Sequence, residues 1–466
     1  MKTVKLYVIV LLGVLFAGQV LAQSDHYLPA YLEISDVPTL VITDSANSPS
    51  PTSRYPIPVP SEWMSAGRTT LNPYTKSELW IARILWAPGE KNTNVNAIQI
   101  LNLTTGSGRT FVLRSFDTEN LPMFLWSLNG RYLAIRASID TPDLDLYIYS
   151  LENESLINLT GDSSRQMDFS WSADGSRLTV FTTACRTSEP LVTCEQAYSL
   201  LEVYDVQGHI RTHQLDLSAF VASGTQACQP AFSQSAIAFT SYCNSLNSAD
   251  SLLDSDVYVW YPDENVVQQV TTLGEQIDYP KEGFYSVYDY VWLSDGTLLV
   301  GADYRIISSN PREGHQLLSY TPDGAIQVLS ETLGAGFSVN PVTNDVILAT
   351  RSSEFVMNPA LDNPPIQTYR TTSALLQSDT AARLLTSEAA EMTIPGTTTM
   401  PLVWSPDGTM AYGLVVETSE NGYARETGEI VFFDAATDEM RSFTPPSSGA
   451  DVTIVPLGWV SAETVR

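Results

Sequence analysis

The residues of this chain that could do chemistry are few and scattered. Its histidines are His26, His209, His213 and His315. His209-x3-His213 spans a turn and a short strand, a placement that does not bring both rings to one metal. The four cysteines are Cys185, Cys194, Cys228 and Cys243. An even count in an exported chain predicts disulfides, and the pairing of neighbours, Cys185–Cys194 with Cys228–Cys243, closes the shortest loops of the three pairings open to it. There is no Cys-x-x-Cys pair to hold zinc. A serine nucleophile needs Gly-x-Ser-x-Gly between a strand and a helix; Gly161-Asp162-Ser163-Ser164-Arg165 lacks the second glycine and the helix. The acidic run Asp250 to Asp256 lacks the glycine turn and bidentate glutamate of a calcium loop and reads as a solvated loop. No glycine-rich phosphate loop is present, so no metal and no cofactor is expected. What remains is carboxylates without a linear motif, such as Asp303, Glu354 and Glu417, which acid–base chemistry can use wherever a fold gathers them.

The elements that would gather them are strands. Val403-Trp404-Ser405-Pro406-Asp407-Gly408-Thr409 joins two apolar runs, Met400 to Trp404 and Met410 to Val416. Pro406 suits the second position of a type I turn, and Gly408 can take the left-handed conformation after it. The unit recurs as Trp171-Ser172-Ala173-Asp174-Gly175, Trp126-Ser127-Leu128-Asn129-Gly130 and Trp292-Leu293-Ser294-Asp295-Gly296. Phe232, Val339 and Trp459 end degraded copies. The spacing, about 45 to 65 residues, is that of propeller blades with loop insertions. After each unit come a second, third and fourth short strand, so four antiparallel strands make a blade. The tryptophan packs between blades and the Asp-Gly makes the turn. The only helix expected lies over Ser373 to Leu385.

The predicted fold is all-β: a seven-bladed β-propeller of four-stranded antiparallel blades, residues 78–466. Three of its seven anchors are degraded, which leaves six and eight blades open. Thr453 to Trp459 reads as an inner strand with no blade after it. Glu78 to Trp86 reads as a second strand with no inner strand before it. The C-terminal strand is therefore expected to pair into the first blade and close the ring, leaving no free edge at the seam. Trp-Ser-x-Asp-Gly at inner-strand ends, on blades of this length behind a signal segment, resembles the TolB-like, WD-repeat-related propellers of bacterial exported proteins. The resemblance covers roughly Glu78 to Arg466. It implies a fold shared by translocation scaffolds, surface proteins and propellers attached to peptidases. The separate N-terminal α/β domain of the periplasmic translocation protein has no counterpart.

Residues 1–22 read as a secretory signal: Lys2 and Lys5, then an apolar core from Leu6 to Ala17, then Val20-Leu21-Ala22 before the cut. That core is short for a membrane span, and no later segment is long and apolar enough, so the protein is expected to be exported, periplasmic or extracellular, with no membrane span after cleavage. Residues 23–77, rich in Pro, Ser and Thr, are expected to be a linker or an arm lying on the propeller. The formal net charge is −28; removal of Lys2 and Lys5 takes it to −30. Such a surface repels nucleic acid and anionic lipid.

The long insertions are expected on one face of the ring, as loops between second and third strands and between blades. Tyr242, Tyr304, Arg305, Arg312, Phe355, Tyr369, Tyr423 and Arg425 fall in them and are of the types enriched at binding hot spots. The sequence thus predicts a non-enzymatic propeller that binds a protein or glycan partner through this loop-rich face. The alternative is a hydrolase or lyase with a carboxylate site at the channel mouth.

Overall fold

The computed structural model describes residues 27–465 except 35–37, 44–50, 61–62, 88–94, 115–121, 142, 162–163, 186–196, 221–229, 241–255, 273–282, 307–311, 323, 331–333, 357–365, 377–383, 386–396, 400–401, 419–423, 438 and 444–452. The signal segment therefore lies outside the described residues. Among the described residues no helix is long and apolar enough to cross a membrane.

The strands form eight antiparallel sheets. Blade 1 holds β1 (Tyr27–Ile34), β2 (Thr39–Thr43) and β3 (Pro51–Pro56). Blade 2 holds β4 (Met64–Leu71), β5 (Trp80–Ala87), β6 (Val95–Asn102) and β7 (Gly108–Val112). Blade 3 holds β8 (Met123–Trp126), β9 (Tyr132–Ala137), β10 (Asp145–Ser150) and β11 (Ser155–Asn158). Blade 4 holds β12 (Arg165–Trp171), β13 (Arg177–Cys185), β14 (Ala197–Asp205) and β15 (Ile210–Asp216). Blade 5 holds β16 (Ala231–Phe232), β17 (Ile237–Thr240), β18 (Val257–Tyr261) and β19 (Val266–Gln269). Blade 6 holds β20 (Gly283–Trp292), β21 (Leu298–Ile306), β22 (Arg312–Tyr320) and β23 (Ile326–Ser330). Blade 7 holds β24 (Gly334–Val339), β25 (Val346–Val356), β26 (Ile366–Leu376) and β27 (Leu384–Leu385). Blade 8 splits its inner strand into β28 (Thr397–Thr399) and β29 (Val403–Trp404), followed by β30 (Met410–Thr418), β31 (Ala424–Asp434) and β32 (Glu439–Phe443). The last strand, β33 (Thr453–Ser461), returns to blade 1 and pairs with β1.

The expected propeller of four-stranded antiparallel blades, closed by the C-terminal strand, is what the chain forms. All seven anticipated inner-strand ends, from Trp126 to Trp459, close inner strands. The ring nevertheless has one sheet more, and its seam lies elsewhere. β33 pairs with Tyr27–Ile34, not with the strand that opens near Glu78. That strand, β5, takes its inner partner from β4. The Pro/Ser/Thr-rich stretch 23–77 is thus a blade and the start of the next, a correction to its reading as an arm. Its prolines, Pro51 and Pro56, sit at the ends of β3, which has a partner on one side only; an outer strand tolerates missing N–H donors that a central one does not. The helix expected at Ser373 to Leu385 is also corrected: Ser373 to Leu376 continue β26, and Leu384–Leu385 form β27.

Closure is visible in the core. Eight apolar clusters each join one blade to the next, and the eighth, with Tyr31, Val41, Tyr412, Phe432 and Trp459, joins blade 8 to blade 1. Three anchor tryptophans repeat one contact. The indole N–H of Trp171 donates to the Leu125 carbonyl (2.9 Å), that of Trp292 to Ala231 (3.0 Å) and that of Trp459 to Val403 (3.0 Å), in each case the strand residue before the preceding blade's aromatic anchor. At the seam the Trp459 ring also meets Tyr412 edge-on at 5.0 Å, and the Tyr412 hydroxyl accepts the Gly458 N–H.

The turns after the inner strands form a second belt. Ser172 Oγ donates to Asp174 Oδ1 and Ser405 Oγ to Asp407 Oδ1, both at 2.6 Å, while each serine oxygen accepts the N–H five residues on. Gly175 and Gly408 take φ +67°, which the turn needs and side chains resist. Asn72, Asn129 and Asn340 then reach to the next blade's turn, donating to the carbonyls of Gly130, Gly175 and Gly408. The Trp-Ser-x-Asp-Gly units are structural.

Candidate active site in the channel

The residues expected at a recognition face are placed on strands. Tyr304 and Arg305 lie on β21, Arg312 on β22, Phe355 on β25, Tyr369 on β26 and Arg425 on β31. Tyr242 and Tyr423 lie outside the described residues. What reads as loop insertion is extension of the hairpins between second and third strands: Arg305 stands opposite Glu313, Tyr369 opposite Ser353 and Arg425 opposite Glu417. Asp303 and Glu354 belong to the same hairpins, opposite His315 and Thr368. Alternating Thr, Ser, Arg and Glu gave these stretches the composition of loops, yet the backbone pairs through them. Cys185 ends β13 and is disulfide-bonded. Cys194, Cys228 and Cys243 fall outside the described residues. His209 holds a left-handed φ of 53° in the β14–β15 turn, and His213 Nε2 on β15 stands 3.5 Å from Asp263 Oδ1. Among the described residues no group of three or more His, Cys, Asp or Glu could hold a metal ion.

The perturbed groups lie elsewhere, on the inner strands. Asp168 precedes Trp171 by three residues, and Asp289 precedes Trp292 by three: Asp168-Phe169-Ser170-Trp171 and Asp289-Tyr290-Val291-Trp292 are the same local pattern in blades 4 and 6. Both strands slip register at that point, β12 between Gln166 and Phe169 and β20 between Val287 and Asp289. A bulge re-aims the side chains around it, and here each bulge adjoins a carboxylate. Asp289 lines a cavity of about 1040 Å³, bounded by inner strands of blades 4 to 7 and by turns of blades 3 to 7. Ser170, Tyr290 and Ser338 line it as well.

Their electrostatics differ. Burial pushes the Asp168 carboxyl up, and the Arg136 guanidinium of blade 3, with Nη1 3.9 Å from Asp168 Oδ1, partly opposes the rise. Removal from bulk water pushes Asp289 up as well, opposed only by the backbone N–H of Tyr290. The Tyr290 phenol is driven far above its ordinary range, first by burial; both aspartates add to the rise, and a hydrogen bond with Thr240 opposes it. One phenol thus feels both carboxyls. The arrangement sets a carboxylate with a cation beside it against a carboxyl without one. Two acids whose surroundings treat them unequally can divide the roles of base and acid.

A second hollow, of about 590 Å³, lies between the turns of blades 2 and 3. It carries Lys76 and Arg131 beside Glu78, Glu152 and Glu154, with Arg131 3.6 Å from Glu152. Its charges are mixed, and Glu78 Oε2 accepts the Trp80 indole N–H at 2.7 Å.

No family model matches the chain, and no curated protein does. Solved structures do. The chain is similar to the β-propeller domain of the Trilobed protease from Pyrococcus furiosus, at 12% identity, over 82% of this chain and 99% of that one, with a TM-score of 0.44. It is similar to a prolyl endopeptidase at 10% identity and a TM-score of 0.49, over 83% of this chain but 50% of that one. TolB from Acinetobacter baumannii is similar at 12% identity, over 77% of this chain and 81% of that one, with a TM-score of 0.29. Such likeness concerns the propeller fold alone. The neighbours therefore include a TolB propeller, as the repeat motif implies. The expectation of a non-enzymatic scaffold binding through loops is not kept: several of the similar propellers come from peptidases, and the face assigned to recognition is built of paired hairpins.

Neither Asp168 nor Asp289 stands out in the sequence, where each is one acid inside an apolar strand run. The signal that finds them is positional. An acid three residues before a blade-anchoring tryptophan occurs in blades 4 and 6, where blade 3 has Met123.

Proposed function

We propose that this propeller belongs to a hydrolase and that Asp289 on the cavity wall and Asp168 on the inner strand of blade 4 are its acid–base pair. The observation that supports the reading is a strand bulge at Asp168 and another beside Asp289, two acids held above the ordinary range that both act on the Tyr290 phenol. Asp289, whose rise no cation opposes, is assigned as the general acid. Asp168, beside Arg136, is assigned as the general base toward water. Arg136 fixes the orientation of that base.

The test is turnover of chromogenic peptides and glycosides by the wild-type chain and by Asp168→Asn and Asp289→Asn. Loss of about 10²-fold or more in either variant, with melting unchanged or raised, supports the pair. Equal turnover in the double variant removes it.

A further inference from the structure

We infer that the cavity beside Asp289 is a saccharide site, taking an uncharged sugar chain as the substrate of the hydrolase proposed above. The inference rests on that reading and names its substrate class.

The cavity wall supplies the first argument. A volume of about 1040 Å³ is ample for a short oligosaccharide. Among the described residues that line it, none is Lys, Arg or His. Arg177, at the edge, is already engaged: its guanidinium carbon lies 5.0 Å from the centre of the Phe232 ring, and its Nη2 donates to the Gln234 carbonyl at 2.7 Å. A phosphate, sulfate or carboxylate ligand would thus meet Asp289 and Asp295 with no cation on the wall to receive it. A cationic ligand gains nothing from Asp289 in the acid role, where the carboxyl carries its proton and no charge. The other exposed groups on the wall are of two kinds. Gln234 and Ser235 offer an amide and a hydroxyl, while Leu128 and Pro341 are apolar. The half-buried Val291 and Trp292 extend the apolar part. A sugar ring carries hydroxyls on its edge and C–H groups on its faces, so it can use both kinds together.

The separation of the acids supplies the second. Two aspartates that cleave peptides as a dyad share one proton across about 3 Å. Here no hydrogen bond joins Asp168 to Asp289: the first has Arg136 beside it, and the second accepts from the Tyr290 N–H. An acid and a base that stand apart suit hydrolysis of an acetal. The Asp289 proton passes to the glycosidic oxygen as its bond to the anomeric carbon breaks and the electron pair stays on that oxygen. Asp168 takes a proton from the water whose oxygen bonds to the anomeric carbon.

Titration calorimetry with cellotriose, maltotriose and xylotriose, and with trigalacturonate as the charged control, tests this on the wild-type chain. At least one neutral trimer is expected to bind, and trigalacturonate at least about tenfold more weakly. Gln234→Ala and Leu128→Asp, both at exposed positions, should each weaken the best trimer by about 3- to 10-fold, the scale of one lost contact. Asp289→Asn should bind it within about threefold of the wild type, while turnover of the matching nitrophenyl glycoside falls at least about 10²-fold. No binding of any neutral trimer, equal binding of trigalacturonate, or unchanged affinity in both Gln234→Ala and Leu128→Asp overturns the inference. Trimer binding without turnover keeps the saccharide site and removes the acid–base pair. Peptide turnover lost in Asp289→Asn, with no trimer bound, does the reverse.

Discussion

Replacing Trp459 by alanine attacks the ring at the seam joining the two ends of the described chain. The side chain is 2% exposed, donates its indole N–H to the Val403 carbonyl at 3.0 Å and meets Tyr412 edge-on. Deleting a buried tryptophan costs about 3–5 kcal/mol. At this chain length each kcal/mol shifts the melting midpoint by roughly 1–2 °C, so a fall of about 3–10 °C is expected. The location of the damage is more telling than its size. β33 is the partner of β1, so hydrogen exchange should quicken first across Tyr27–Ile34 and Thr453–Ser461. Exchange unchanged in Tyr27–Ile34, or quickened equally in every blade, would refute closure by this strand. A control is built into the ring. The indole nitrogens of Trp126 and Trp404 have no hydrogen-bond partner, whereas that of Trp171 has one. Trp171→Phe should therefore cost about 1 kcal/mol more than Trp126→Phe or Trp404→Phe, the net worth of one buried hydrogen bond.

Other expectations are as direct. Asp289 is raised in the folded chain, so between the ordinary aspartate range and that raised value the fold holds a proton the unfolded chain has lost, and stability falls as pH rises. Asp289→Asn should raise the melting midpoint at neutral pH and leave it unchanged below the ordinary range, as paired melts will read. Asp174 runs the other way: the Ser172 hydroxyl and then the Ser176 N–H hold it low, so its contribution is present above the ordinary range and lost as pH falls through the lowered value. Asp174→Ala should lower the midpoint near neutral pH, with the deficit fading in acid. Gly408 has φ +67°, and an added Cβ would come within 2.2 Å of Asn340 Oδ1, whereas Gly106, at φ +76°, has nothing within 4 Å. Gly408→Ala should therefore cost more than Gly106→Ala by about 1 kcal/mol, the value of the displaced Asn340 bond, in denaturant melts.

The parts of the fold legible in the sequence are those where one residue type has one job. Tryptophan before a tight turn marks Trp126, Trp171, Trp292, Trp404 and Trp459 because packing between blades requires a large ring at that place. β4 escapes notice because it ends in Leu71 and turns through Asn72, whose amide does across blades what Asn129 does in the recognisable copy. β3 escapes because prolines at an outer edge cost little, while composition counts them as linker. The extended hairpins of blades 6 to 8 escape because strands projecting beyond the ring need no apolar alternation. The channel acids are harder still. Their effect comes from bulges and from groups on three other blades, Arg136, Thr240 and each other, and separation along the chain conceals that convergence.

The sharpest measurement is the pH dependence of kcat/KM for whichever substrate the wild-type chain turns over, set beside Asp289→Asn. A bell is expected, its acidic limb reporting Asp168 and its alkaline limb the deprotonation of Asp289, with the alkaline limb absent from the residual activity of the variant. A profile that stays level toward alkali, or one that keeps its alkaline limb in Asp289→Asn, would place the chemistry outside the channel.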